Sequence, residues 1–311
     1  MMPSVVEQLG LGGIVPVVVL QDENDALPLA RALLEGGIST MEITFRTKAA
    51  PGSIARIAKE FRQMLPGAGT VLSVEQARRA VDAGARYIVS PGLNAGVVEY
   101  CRTQNIPVIP GVATPSEISS AIEMGLDLVK FFPAEACGGL EYLKAISAPF
   151  GGMRFIPTGG IDESNLLGYL RFPRVVACGG SWMVKADLLA GKRFDEVTRL
   201  AARAVRTMLG FQLVHVGING ADAGDAALLS HLLAVREGEN PALAGTPFQG
   251  RASGRNGQLA VAANFLERAV AFFASRGIGV REETKTGRTG KTVSVDLDRE
   301  IGGFAVRLVQ L

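Results

Sequence analysis

The chain has 311 residues, 48% hydrophobic and 20% charged, enough apolar mass for one large core or two smaller ones. Its 32 basic and 30 acidic side chains nearly cancel, which excludes a broad basic field for nucleic acid and an acidic tail. Cys101, Cys137 and Cys178 stand too far apart for a zinc spacing or an even disulfide set and fit a reducing compartment.

The start, MMPSVVEQLGLGG, has no basic segment followed by an apolar one, and no run of 18 apolar residues occurs. The expectation is a soluble cytoplasmic protein with no nucleic-acid or membrane partner. Short apolar runs rich in β-branched residues then recur, reading as buried strands. They are IVPVVVL (14–20), TMEITFR (40–46), GAGTVL (67–72), YIVSPG (87–92), PVIPGV (107–112), LVKFFPA (128–134), RFIPTGG (154–160) and VVACGGSW (175–182). Between them lie helical patterns such as LPLARALLEGG, VEQARRAVDAGA, AGVVEYCRTQN, SEISSAIEMG and DESNLLGYLR.

Ser73 with Gln76, and Thr114-Pro115 with Glu117, read as helix starts of the capping-box kind. Gly36, Gly84 and Gly125 read as helix ends. Repeated βα units predict an α/β fold with a parallel sheet, closed into a (β/α)8 TIM barrel; an open doubly wound sheet is the alternative.

A barrel of this kind works at the C-terminal ends of its strands. Period-2 geometry puts Glu42, Thr44 and Arg46 on one face of the second strand. Lys130 stands inside an apolar strand beside Phe131 and Phe132. Desolvation there favours a neutral amine, which can attack a ketone and form a Schiff base. Gly159-Gly160 and Gly179-Gly180-Ser181 end the last two strands, where barrels often hold phosphate. Asp162 and Ser181 stand near expected helix starts, whose dipoles would assist. Thr70, Pro91 and Thr158 complete the rim. A salt bridge at Glu42, a surface-seeking Lys130 and plain glycine turns are the bland alternatives.

The segments GGISTMEITFRT, GAGTVL, SPG, VIPGVATPSE, LVKFFPA, PTGGI and GGSW, in this order over residues 4–208, resemble class I aldolases that cleave 2-keto-3-deoxy-6-phosphogluconate or 2-keto-4-hydroxyglutarate. The resemblance implies Lys130 as Schiff-base lysine and Glu42 as general acid/base. It implies Arg46 and Thr70 on the substrate carboxylate, and Thr158, with Pro91 on the rim, on the substrate. It implies phosphate binding by Gly159, Gly160, Gly179, Gly180 and Ser181, a homotrimer, and no metal or other cofactor. The substrate is then a small keto acid, phosphorylated in the sugar-acid case. Thr158 leans to the gluconate and hydroxyglutarate type over a galactonate type. A non-catalytic barrel that senses a sugar phosphate is the alternative from another class.

The pattern changes after residue 209, so the expected domains are 1–209 and 210–311. LVHVGIN, QLAVAAN, GVREETK, KTVSVDLD and GFAVRLVQL read as strands, and DAALLSHLLAV and NFLERAVAFFASRGI as helices. Phe272 and Phe273 are expected on the core face of the second helix, and NPALAGTPFQGRASGRNG reads as loop. Two β-α-β units in series resemble the vicinal oxygen chelate (glyoxalase-like) fold. That implies His215, Gln258 and the position of Arg307 where such folds place metal ligands, although a cation at 307 opposes a metal. His231 reads as ordinary packing or surface. A separate metal-dependent activity of this tail is a further alternative.

Overall fold

The computed structural model describes residues 3–218, 254–288 and 291–311. The chain divides into two compact units, Met1–Thr207 and Met208–Leu311. His231 and the expected helix 225–235 lie outside the described residues, as does the loop-like stretch up to 253.

In the first unit, helix α1 (Val5–Gly12) starts at Ser4, whose side chain accepts from Glu7 N while Glu7 returns a bond to Ser4 N. That reciprocal cap satisfies two otherwise orphaned donors. This helix adds to the elements expected from the sequence. It carries Leu9, fully buried, into a core with Val15, Leu65, Tyr87, Val89, Ile109, Leu128, Ile156 and Ala177.

The strands are β1 (Ile14–Val18), β2 (Thr40–Thr44), β3 (Leu65–Gly69), β4 (Tyr87–Val89), β5 (Val108–Ile109), β6 (Gly111–Val112), β7 (Leu128–Phe131), β8 (Arg154–Pro157) and β9 (Cys178–Gly180). One parallel sheet runs β5-β4-β3-β2-β1-β9 and a second runs β6-β7-β8. Only Pro110 separates β5 from β6, and its carbonyl accepts from Lys130 N. Parallel bridges Phe155↔Val175 and Thr158↔Gly179 tie β8 to the chain around β9. The result is an α/β fold whose parallel sheet curls around an apolar interior.

Helices alternate with these strands: α2 (Ala26–Glu35), α3 (Ala50–Glu60), α4 (Val74–Asp82), α5 (Ala95–Thr103), α6 (Pro115–Glu123), α7 (Gly139–Ser147), α8 (Leu166–Leu170), α9 (Ala186–Ala190) and α10 (Phe194–Leu209). Thr114 caps α6 with Glu117 as a full capping box. The expected box at Ser73 is only half formed: Ser73 accepts from Gln76 N, but Gln76 Oε1 accepts from Leu72 N instead of returning to Ser73. At the end of α2 the left-handed residue is Gly37, with φ 93°, not Gly36. The third strand ends at Gly69, earlier than its apolar letters suggest. Thr70, at φ 54°, turns the chain out of the sheet, and Leu72 is exposed.

The second unit contains β10 (Gln212–Ile218), β11 (Gly257–Ala263), α11 (Leu266–Ala274), β12 (Val280–Arg288), β13 (Lys291–Leu297) and β14 (Phe304–Gln310). Its mixed sheet runs β10-β11-β14-β13-β12, with β11 and β14 parallel and the other pairs antiparallel. The buried positions of α11 are Leu266 and Ala269. Phe272 and Phe273 are half-buried, not part of that core face, and pack on Phe211 at 6.0 and 5.7 Å.

Candidate active site

Strand β2 is buried along its whole length. Its register partners, Val17 on β1 and Gly67 on β3, fix Glu42 between them in the sheet. Lys130 on β7 is also buried, and its Nζ donates to Glu42 Oε1 at 3.3 Å. The Lys130 ammonium stands 5.1 Å from the centre of the Phe132 ring. The sequence displayed only the apolar neighbours of Lys130. The fold adds a carboxylate that accepts its proton and offsets its desolvation.

Thr158, past the end of β8, lines the same small enclosed space as Glu42 and Lys130. Its Oγ1 is buried and has no hydrogen-bond partner among the described residues. An unpaired buried hydroxyl costs roughly 1–3 kcal/mol, so a hydroxyl held this way is ready for a ligand.

Arg46 and Thr70 meet at the rim, where Arg46 Nε donates to Thr70 Oγ1 at 3.3 Å. Arg46 lies beyond the end of β2, so the alternation that places Glu42 does not reach it. Thr44, expected to share the mouth, instead donates its hydroxyl proton to Val18 O at 3.0 Å. Thr70 is β-branched yet left-handed, a conformation costing of order 1–3 kcal/mol. Replacing it by glycine relieves the strain and removes the partner of Arg46. Thr70→Gly is expected to raise thermal stability by about 1 kcal/mol net of glycine's chain entropy. The same variant is expected to raise KM for a keto acid about tenfold through the lost contact. Calorimetry and initial rates on one preparation check both halves.

Pro91 sits in the turn after β4, its carbonyl packed where a side chain on Gly111 would fall. Gly159 (φ 99°) and Gly160 (φ 79°) are both left-handed, which only glycine adopts freely. Such a left-handed glycine pair lets the backbone approach an anion closely. At Gly179 and Gly180 the missing side chains serve packing, since a Cβ would overlap Thr158 Oγ1 or the Trp182 ring. Ser181 is exposed beside them. The helix starts expected here are displaced. Asp162 accepts from Ser164 in a local turn, α8 begins only at Leu166, and α9 begins at Ala186. Asp and Ser in DESN satisfy each other in that turn and so delay the helix.

In the second unit, register places His215 and Arg307 on either side of Ala260, with Gln258 two residues before it. Arg307 donates to both carboxylate oxygens of buried Asp296, at 2.6 and 3.1 Å. A guanidinium locked in that position does not fit a divalent ion. No group of three or more His, Cys, Asp or Glu is placed to hold a metal among the described residues.

The model of the aldolase family described as KDPG and KHG aldolase matches residues 5–200. The 2-dehydro-3-deoxy-phosphogluconate aldolase of Treponema pallidum is 49% identical over 205 residues, which cover 66% of this chain and 98% of the relative. A KDPG aldolase structure from Legionella pneumophila, with pyruvate captured at low pH as a covalent carbinolamine intermediate, is 39% identical with a TM-score of 0.62, covering 66% of this chain and 98% of its own. The 2-keto-3-deoxy-6-phosphogluconate aldolase of Zymomonas mobilis ZM4 with 3-phosphoglycerate is 39% identical with a TM-score of 0.59, covering 64% and 92%. With its buried lysine–carboxylate pair and these matches over most of the first unit, the chain belongs to the KDPG and KHG aldolase family.

Proposed function

We propose that this protein is a Schiff-base aldolase that cleaves 2-keto-3-deoxy-6-phosphogluconate to pyruvate and glyceraldehyde 3-phosphate. The observation that carries this reading is the Lys130–Glu42 contact at 3.3 Å, buried beside the unpartnered hydroxyl of Thr158. The pyruvate adduct in the Legionella relative and the phosphoglycerate in the Zymomonas relative support the same assignment.

Glu42 takes a proton from the Lys130 ammonium as the ketone enters. The freed amine adds to C2, Glu42 returns the proton to the departing hydroxyl, and water leaves an iminium. Glu42, through a water, then removes the proton of the C4 hydroxyl. The C3–C4 bond breaks, glyceraldehyde 3-phosphate leaves, and the electrons move into an enamine. Protonation at C3 and hydrolysis free pyruvate and the amine. The nitrogen thus supplies the electron sink. Arg46, held against Thr70, grips the keto-acid carboxylate by charge-assisted hydrogen bonds. Thr158 and Pro91 flank the substrate. Gly159, Gly160, Gly179, Gly180 and Ser181 hold the phosphate, supported by the left-handed turn at Gly159 and Gly160.

The same site also suits 2-keto-4-hydroxyglutarate, which yields pyruvate and glyoxylate. We read the curled sheet as a closed (β/α)8 barrel, supported by the bridges from β8 to the chain at β9. We read the second unit as glyoxalase-like. Its β11-α11-β12-β13-β14 succession and its strand order β11-β14-β13-β12 support that reading. By family likeness the assembly is a homotrimer in the cytoplasm. No helix among the described residues is long and apolar enough to cross a membrane.

The test is release of pyruvate from each of the two substrates by one preparation, followed by a coupled reduction. Turnover of the phosphogluconate substrate is expected; release of pyruvate from neither would end this reading.

A further inference from the structure

Three inward-facing positions form one row across the sheet. Glu42 on β2 is in register with Gly67 on β3, and Gly67 is in register with Tyr87 on β4. Gly67 has no side chain, and the Tyr87 ring fills that space, since a Cβ there would overlap the ring. A Cβ on Gly69 would likewise overlap the Glu42 carboxylate. The two large side chains of the row therefore leave it in opposite directions. Glu42 goes one way along β3, over Gly69, to Lys130. Tyr87 goes the other way, to Thr40.

The Tyr87 end is tied. Tyr87 Oη lies 3.0 Å from Thr40 Oγ1, and Thr40 donates its one proton to Leu65 O at 2.9 Å. Tyr87 is therefore the donor to Thr40, and its proton is directed away from Glu42. The tyrosine is fully buried, and burial pushes its phenol far above the ordinary range, so it stays a neutral donor. Tyr87 also borders the small space shared by Glu42, Lys130 and Thr158.

We propose that Tyr87 is a positioning residue for the reaction: anchored by Thr40, its ring fills the Gly67 gap beneath Glu42 and holds the carboxylate against Lys130. On the β3 side of Glu42, opposite Val17, glycine offers no bulk, and the Tyr87 ring takes that space. The inference rests on the aldolase reading above.

The experiment measures exchange of the pyruvate methyl protons against pH in the full chain, for Tyr87→Leu, Tyr87→Phe, Thr40→Val and the Tyr87→Phe/Thr40→Val pair. Tyr87→Leu opens the gap and is expected to lower the maximal exchange rate about tenfold, as displaced catalytic groups do, with KM for pyruvate within about twofold. Tyr87→Phe keeps the ring but frees it, for an expected loss of about threefold. The pair is expected to lose no more than Tyr87→Phe alone, since both changes cut one tie. Lower melting temperature with unchanged rate and profile per folded molecule would overturn the proposal, as would additive losses in the pair. Should Tyr87→Leu fail to fold, Tyr87→Phe and the pair decide alone. Absence of borohydride trapping in the wild-type protein would instead strike the aldolase reading, so the two failures are distinct.

Discussion

Lys130→Ala is expected to lose aldol turnover by roughly 10⁴-fold or more, the scale on which enzymes lose their nucleophile. Borohydride added with pyruvate is expected to reduce the iminium of the wild-type protein to a stable secondary amine on Lys130. The variant is expected to take up no label. The reason is local: among the residues bordering the enclosed space at Glu42, Lys130 is the one that carries an amine. The substitution also strands a buried carboxylate, which is strongly destabilising, so Lys130→Met belongs beside it to keep the volume filled. Label on another lysine in either variant would refute the assignment of the nucleophile.

Glu42→Gln is expected to slow exchange of the pyruvate methyl protons by roughly 10²-fold or more while leaving iminium formation detectable. The amide keeps the shape over Gly69 and can still contact Lys130, but it neither accepts nor returns a proton. Trapping at Lys130 therefore separates the two roles. Borohydride should still label the variant, more slowly, because the amine forms the bond to C2 while the lost carboxylate only speeds its proton transfers. An exchange rate equal to wild type would remove Glu42 from the proton transfers and leave it a counter-ion for Lys130.

Much of this site was legible because strand chemistry is local. Lys130 among Leu128, Val129, Phe131 and Phe132 is unusual in any context, and Gly159-Gly160 announces left-handed backbone by composition. Arg46 shows where such reasoning stops. Strict alternation groups it with Glu42, yet the strand ends at Thr44 and its partner is Thr70, 24 residues on. Thr44 had the right face but a hydroxyl already committed to Val18 O. Asp162 looked like a helix start until its own turn with Ser164 is seen to satisfy it.

The alternation of strands and helices, the apolar setting of Lys130 and the glycine turns are written locally, since each depends on residues within a few positions. Folding in three dimensions brings Glu42 to Lys130 across 88 residues, Leu9 into the strand core, and Tyr87 across Gly67 to Thr40. Those contacts depend on register between strands far apart in the chain, and register is set by packing around a shared interior.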